Sequence, residues 1–204
     1  MTAVIDTSSL LSLVRYYFSF DSNGILSEYI KSKIENNEWI IIDKVFEECK
    51  YTAKGIVLEK FKYLSDKSFQ TNFKVPYNTS GILAPAPVKF MNQLENQFVN
   101  VPILKARKLS DIELENQKQT FLESADMKQV ILCLNLQKAN KSTVLVTEET
   151  ETSNDNKLFN KIPAICKLLK IKTIDLPSLL KDSADLKLYI QSINMNPELF
   201  ASEE

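Results

Sequence analysis

Ala3-Val4-Ile5-Asp6-Thr7-Ser8-Ser9-Leu10-Leu11 opens the chain with an apolar run that ends abruptly in a carboxylate and three hydroxyls. The apolar residues predict a strand over residues 2–6, buried on both faces. Leu10, Leu11, Val14, Tyr17 and Phe18 then recur at helical spacing, which predicts a helix over residues 8–20 with Thr7 or Ser8 as N-cap. A buried strand that delivers an acid into a helix is the βα step of an open sheet. In such sheets, ligands and metals bind at the carboxyl ends of the strands. The competing reading of Asp6 is a plain turn residue.

Working outward, Asn23-Gly24 punctuates before a helix from about Ile25 to Asn36, and Trp39-Ile40-Ile41-Ile42 reads as a short buried strand. Asp43 is placed to cap a third, longer helix carrying Val45, Phe46, Cys49, Ala53, Ile56, Val57 and Phe61. Pro76, Gly81, Pro85 and Pro87 interrupt residues 65–110, which read as a helical insertion with loop-like flanks and one helix over Val88 to Phe98. A helix over 123–139, a strand Thr143 to Val146, a polar loop to about Asn160, a helix Pro163 to Lys170 and a strand Ile171 to Ile174 follow. Asp175-Leu176-Pro177 begins a last core helix. Strand–helix–strand over 143–174 implies a parallel pair with a right-handed crossover. The expected fold class is therefore α/β: a three-layer α/β/α sandwich on a central parallel sheet, spanning 1–181. Leu186, Tyr189, Ile190 and Ile193 suggest an amphipathic helical tail over 182–204.

Composition narrows the chemistry by exclusion. The chain has 204 residues, enough for one α/β domain with an insertion. No apolar stretch has the roughly 20 residues of a membrane span and no signal peptide opens the chain, so a cytoplasmic location is expected. Cys49, Cys133 and Cys166 are odd in number and lack C-x-x-C spacing, which argues for reduced core thiols rather than disulfides or zinc. The absence of histidine removes Ser-His-Asp and Cys-His triads and histidine-ligated metal. Three unclustered glycines exclude a P-loop and a dinucleotide fingerprint. A net charge of −1 gives no strong global field towards a polyanion. Catalysis, if any, rests on carboxylates, hydroxyls, lysines or a bound metal.

Three further acids accompany Asp6. Asp126 shares a helix face with Val130 and Cys133, so its carboxylate should turn inward near a helix start; the other reading is N-terminal capping beside Ser124. Glu149 follows its strand as Asp6 follows the first, although Glu148, Glu151 and Asp155 are close by. Glu47 and Glu48 flank an apolar stripe equally, so periodicity does not choose between them and a solvated pair is the simpler reading. Two carboxylates about 4 Å apart repel by roughly 4 kcal/mol at an effective dielectric of about 20. Converging acids therefore call for protons or a cation. Oxygen-only donors favour Mg²⁺ or Mn²⁺, and phosphodiester hydrolysis is the chemistry such an ion promotes.

Val4-Ile5-Asp6-Thr7-Ser8-Ser9-Leu10-Leu11 resembles the opening of PIN-domain ribonucleases. Ser124-Ala125-Asp126 with Val130 and Ile131 resembles that family's third-acid motif, and Val144-Leu145-Val146-Thr147-Glu148-Glu149 its closing strand and turn. Lys161 to Cys166, ahead of Ile171 to Asp175, looks like a PIN-like subfamily of prokaryotic proteins. The resemblance covers about residues 2–181, with the middle unmatched. It implies a PIN-like fold and a metal-dependent endoribonuclease of single-stranded RNA, often the VapC-type toxin of a toxin–antitoxin pair. By matching position, Asp6, Glu48, Asp126 and Glu149 are the implied catalytic metal ligands for Mg²⁺ or Mn²⁺, with Glu48 preferred to Glu47. Ser8 and Thr147 are the implied supporting hydroxyls. Glu at 149, where Asp is commoner, departs from the pattern, and the polar loop 150–160 offers Glu151 or Asp155 as substitutes. Implied partners are single-stranded RNA, an antitoxin protein and a second copy of the chain, with Lys50, Lys54 or Lys157 holding phosphates. On this reading Asp6→Asn and Asp126→Asn each abolish cleavage and leave the fold intact. The rival is an inactive PIN-like interaction module. A phospho-acceptor receiver domain fits worse, because Thr7 and Ser8 stand where it needs a second acid.

Overall fold

Strand β1 (Thr2–Ile5) lies inside a four-stranded sheet with β2 (Trp39–Ile40), β3 (Thr143–Val146) and β4 (Lys172–Ile174), in the order β2-β1-β3-β4. Every pairing is parallel, and β1 meets β3 with Thr2 opposite Thr143 and Ile5 opposite Val146. Ala3, Val4, Ile5, Val144, Leu145 and Val146 are all fully buried, as strands covered by helices on both faces must be. The computed structural model describes residues 1–151 and 156–188. They form an α/β fold with a central parallel sheet flanked by helices, consistent with a three-layer α/β/α arrangement. No helix among them is long and apolar enough to cross a membrane.

Asp6 caps α1 (Thr7–Ser12), which passes into a wider turn over Leu13–Tyr17 and a tight turn over Phe18–Phe20. The expected helix over 8–20 is thus a run of changing pitch. Helix α2 (Ile25–Glu35) buries Leu26, Ile30 and Ile34 at four-residue spacing, and both Asp21 carboxylate oxygens accept from its first turn. The expected strand 39–42 is shorter, because Ile42 leaves β1 and bridges to Tyr77 instead.

The long third helix is two helices, α3 (Asp43–Tyr51) and α4 (Ile56–Lys60). Ala53 and Lys54 adopt φ of +50° and +61°, and Gly55 follows at +77°. A Cβ at Gly55 would stand 3.2 Å from the Lys50 carbonyl oxygen, so the reversal needs glycine there. Asp43 is not the cap of α3: its carboxylate accepts from the Thr79 amide and hydroxyl and ties the helix start to a distant loop.

Residues 65–110 are more helical than the prolines suggest, with α5 (Lys67–Phe73), α6 (Pro87–Gln93) and α7 (Val101–Arg107). Pro87 and Pro102 sit in first turns, where a missing N–H costs nothing. Helix α6 runs into a wider turn over Leu94–Phe98, and a Ser110–Glu113 capping box starts α8 (Asp111–Leu122). Residues 97–100 are fastened to the loop before α10 (Ile162–Leu169) by a Val99–Phe159 antiparallel bridge. The Asn100 amide donates to the Leu158 carbonyl at 2.8 Å, and the Asn160 amide to that of Phe98 at 2.8 Å. Helix α9 (Ala125–Lys138) turns Val130 and Cys133 into the core, and Cys49 and Cys166 are likewise buried free thiols. After α11 (Leu176–Lys181), Asp182–Leu188 form no helix. Tyr189, Ile190 and Ile193 lie outside the described residues.

Candidate functional site

The register of β1 and β3 makes their next residues neighbours. Asp6 donates its amide to the Val146 carbonyl at 3.0 Å, and Thr147 donates its own to Ile174 at 3.0 Å. Side chains then close around the Asp6 carboxylate, which is only 6% exposed. Ser8 Oγ donates to Oδ2 at 2.5 Å, Thr147 Oγ1 donates to Oδ2 at 3.0 Å, and Gln129 Nε2 donates to Oδ1 at 3.1 Å. Ser8 and Thr147 therefore orient Asp6, and their hydroxyls lie 3.3 Å apart. Gln129, on α9 and fully buried, was not legible as a site residue; its only signal is an amide directly ahead of the apolar run Val130 to Leu134, three residues after Asp126.

Ser124 is the N-cap of α9, its Oγ accepting from the Met127 amide at 3.3 Å, so Asp126 is not needed for capping. The Asp126 carboxyl is pushed up to about 7, first by burial, then by the charges of Asp6, Glu149 and Glu48, against the opposing pull of Lys157. Acids from the ends of β1 and β3, from α3 and from α9 thus share one electrostatic environment.

On α3 the two glutamates separate. Glu48 accepts from Thr7 Oγ1 at 2.6 Å and leans towards α1, whereas Glu47 pairs with Lys50 at 2.6 Å on the surface. Glu48 is exposed as a residue, yet its carboxyl is raised by partial burial and by Asp6, while the Thr7 hydroxyl lowers it.

After β3 the acids also divide. Glu148 accepts from Ser9 Oγ at 3.2 Å and from the Leu176 amide at 2.8 Å, and so fastens α11 to the sheet. Glu151 pairs with Lys167 at 3.0 Å, and Asp155 lies outside the described residues. Glu149 is half-buried, with Oε2 enclosed and lacking any hydrogen-bond partner. Glu148→Ala should cost about 1–3 kcal/mol, the usual penalty for stranding buried donors, read as a lower denaturation midpoint. Glu149→Gln strands no donor and removes one of the charges that raise Asp126, so it should not lower that midpoint.

As placed, no group of three or more His, Cys, Asp or Glu among the described residues could hold a metal ion. The donor chemistry still fits a hard divalent cation, being oxygen throughout. One of those oxygens, Glu149 Oε2, and the Oε1 of Gln129, whose Nε2 donates to Asp6, are buried without partners, and buried polar atoms ordinarily have one. Of the lysines expected at phosphates, Lys50 is engaged by Glu47 and Lys54 is exposed on the reversal after α3, while Lys157 acts on Asp126.

In a comparison with known families, a family model described as a domain of unknown function (DUF4411) aligns with residues 87–185, just under half of the chain. It takes in Asp126 and Glu149 but not Asp6 or Glu48. No curated protein and no solved structure matches the chain.

Proposed function

We propose that the protein is a PIN-like, metal-dependent endoribonuclease that cleaves single-stranded RNA at Asp6, Glu48, Asp126 and Glu149. The observation that carries this reading is the field at Asp126, whose carboxyl is held near pH 7 by burial and by the other three acids. A fold has little structural use for such crowding, and perturbed acids at a strand-end rim are the usual mark of a functional site. The four carboxylates would hold Mg²⁺ or Mn²⁺. Bound there, the ion would lower the pKa of water and offset charge building on the phosphoryl oxygens. The chain's own part is positioning. Ser8 and Thr147 hold one oxygen of Asp6, Gln129 holds the other, and Thr7 holds Glu48.

A catalytically silent interaction module is the second reading, and it is favoured in that no group of three or more acids among the described residues is placed to hold a metal ion. A cytoplasmic location, an antitoxin partner and a homodimer belong to the nuclease reading and stand or fall with it. Incubating the purified protein with a labelled single-stranded RNA and Mg²⁺ or Mn²⁺ tests the proposal. Cleavage that EDTA stops, and that Glu48→Gln slows at least tenfold while Glu47→Gln leaves it unchanged, is expected. No cleavage with either ion, or equal effects of the two substitutions, would count against it.

A further inference from the structure

A cleft of about 270 Å³ opens directly beside Asp126, lined by Arg107, Phe121, Ser124, Lys157, Phe159 and Lys161 among others. Its chemistry is the reverse of the acidic rim: three cations stand along it, and Asp126 is its acid. Arg107 ends α7, and its Nη2 donates to the Asn156 carbonyl at 2.5 Å, adjoining Lys157. The bridge between Val99 and Phe159 fastens the same two segments. The helical insertion and the loop before α10 therefore build this bank together and hold its charges in place. Phe121 and Phe159 stack within it, ring centroids 4.1 Å apart and planes within 2°. Phe159 is buried, and Phe121 keeps part of its surface open.

Taking the nuclease reading of the acidic rim as given, we propose that this cleft grips the stretch of RNA next to the scissile phosphate. Arg107 and Lys157 take its phosphates, and Phe121 contacts an unstacked base. Three features support that occupant over a small metabolite. The cleft is smaller than the roughly 300–1,000 Å³ of a typical small-molecule pocket, so it suits one section of a longer ligand. Arg107 and Lys157 are both exposed, as phosphate-gripping side chains must be. Single-stranded nucleic acids are bound by cationic grooves combined with aromatic faces. The near-zero net charge is then no obstacle, because the attraction is local.

The test is binding of a fluorescent single-stranded RNA 12-mer in EDTA, which separates gripping from cleavage. Arg107→Ala and Lys157→Ala should each weaken binding about tenfold. Each should also reduce the salt slope by about 0.7, the value for one phosphate contact on a single strand. Phe121→Leu should weaken binding with no change in slope. Asp126→Asn should bind at least as well as the native protein. Native binding with these effects but no cleavage in Mg²⁺ or Mn²⁺ supports the cleft and refutes the nuclease reading. Cleavage by a protein whose binding and KM ignore Arg107→Ala and Lys157→Ala overturns the cleft alone. Absence of RNA binding by the native protein overturns it too.

Discussion

Asp126→Asn is expected to reduce Mg²⁺- or Mn²⁺-dependent RNA cleavage at least a hundredfold while making the fold more stable at neutral pH. The two effects share one cause. The carboxyl of Asp126 is pushed from its ordinary 3.8 to about 7 by burial and by the charges of Asp6, Glu149 and Glu48. The folded state therefore binds this proton more tightly than the unfolded chain. Stability contributed by the protonated acid is fully present below about pH 4. It is lost progressively as pH rises to about 7, and the curve is flat beyond. Each tenfold change in proton affinity is worth about 1.4 kcal/mol, so the upper bound is about 4 kcal/mol, and relaxation around the site should reduce it to about 1–2 kcal/mol. Asparagine cannot ionise, so denaturation of Asp126→Asn should lose this fall in stability between pH 4 and 7. A variant that tracks the native curve would contradict the assignment.

Asp6→Ala should fail in the opposite direction, losing cleavage and destabilising the fold by about 3–5 kcal/mol. Its carboxylate caps α1 and accepts from Ser8, Thr147 and Gln129. A lost N-cap costs about 1 kcal/mol, and each donor stranded in the interior costs about 1–3 kcal/mol. Against a typical total of 5–15 kcal/mol, that is a large share. Asp6→Asn keeps one acceptor and should cost about 1–2 kcal/mol, so the two aspartates do not leave the fold equally intact when replaced, as the sequence alone implies. Chemical denaturation of both Asp6 variants beside Asp126→Asn would show opposite signs. Equal signs would mean that Asp6 and Asp126 do not differ in role.

The sheet was legible because β1 and β3 are short, apolar and buried on both faces, leaving no other reading for residues 2–5 and 143–146. Asp6 followed from its position at a strand end, and Asp126 from sharing a face with Val130 and Cys133. Glu48 could not be separated from Glu47 by periodicity, because the distinction lies in the reach of Thr7 across from α1. Gln129 was hidden for the same reason: its partner is 123 residues away. The break after α3 sits at Ala53 and Lys54, residues with no preference for positive φ. In 65–110 the helix expected from Val88 is present and opens at Pro87, whereas α5 and α7 were missed, and the Asp66 and Asn100 caps carried the signal for them.

The central claim, that the four acids together hold divalent metal, is tested most directly by thermal melting of the native chain during a Mn²⁺ titration. At a hundredfold excess over Kd, binding to the folded state adds about 2.7 kcal/mol, a rise of roughly 5–10 °C for a chain of this size. That rise should vanish in Asp126→Asn and in Asp6→Asn. No rise in the native protein, or the same rise in all three, would contradict the account.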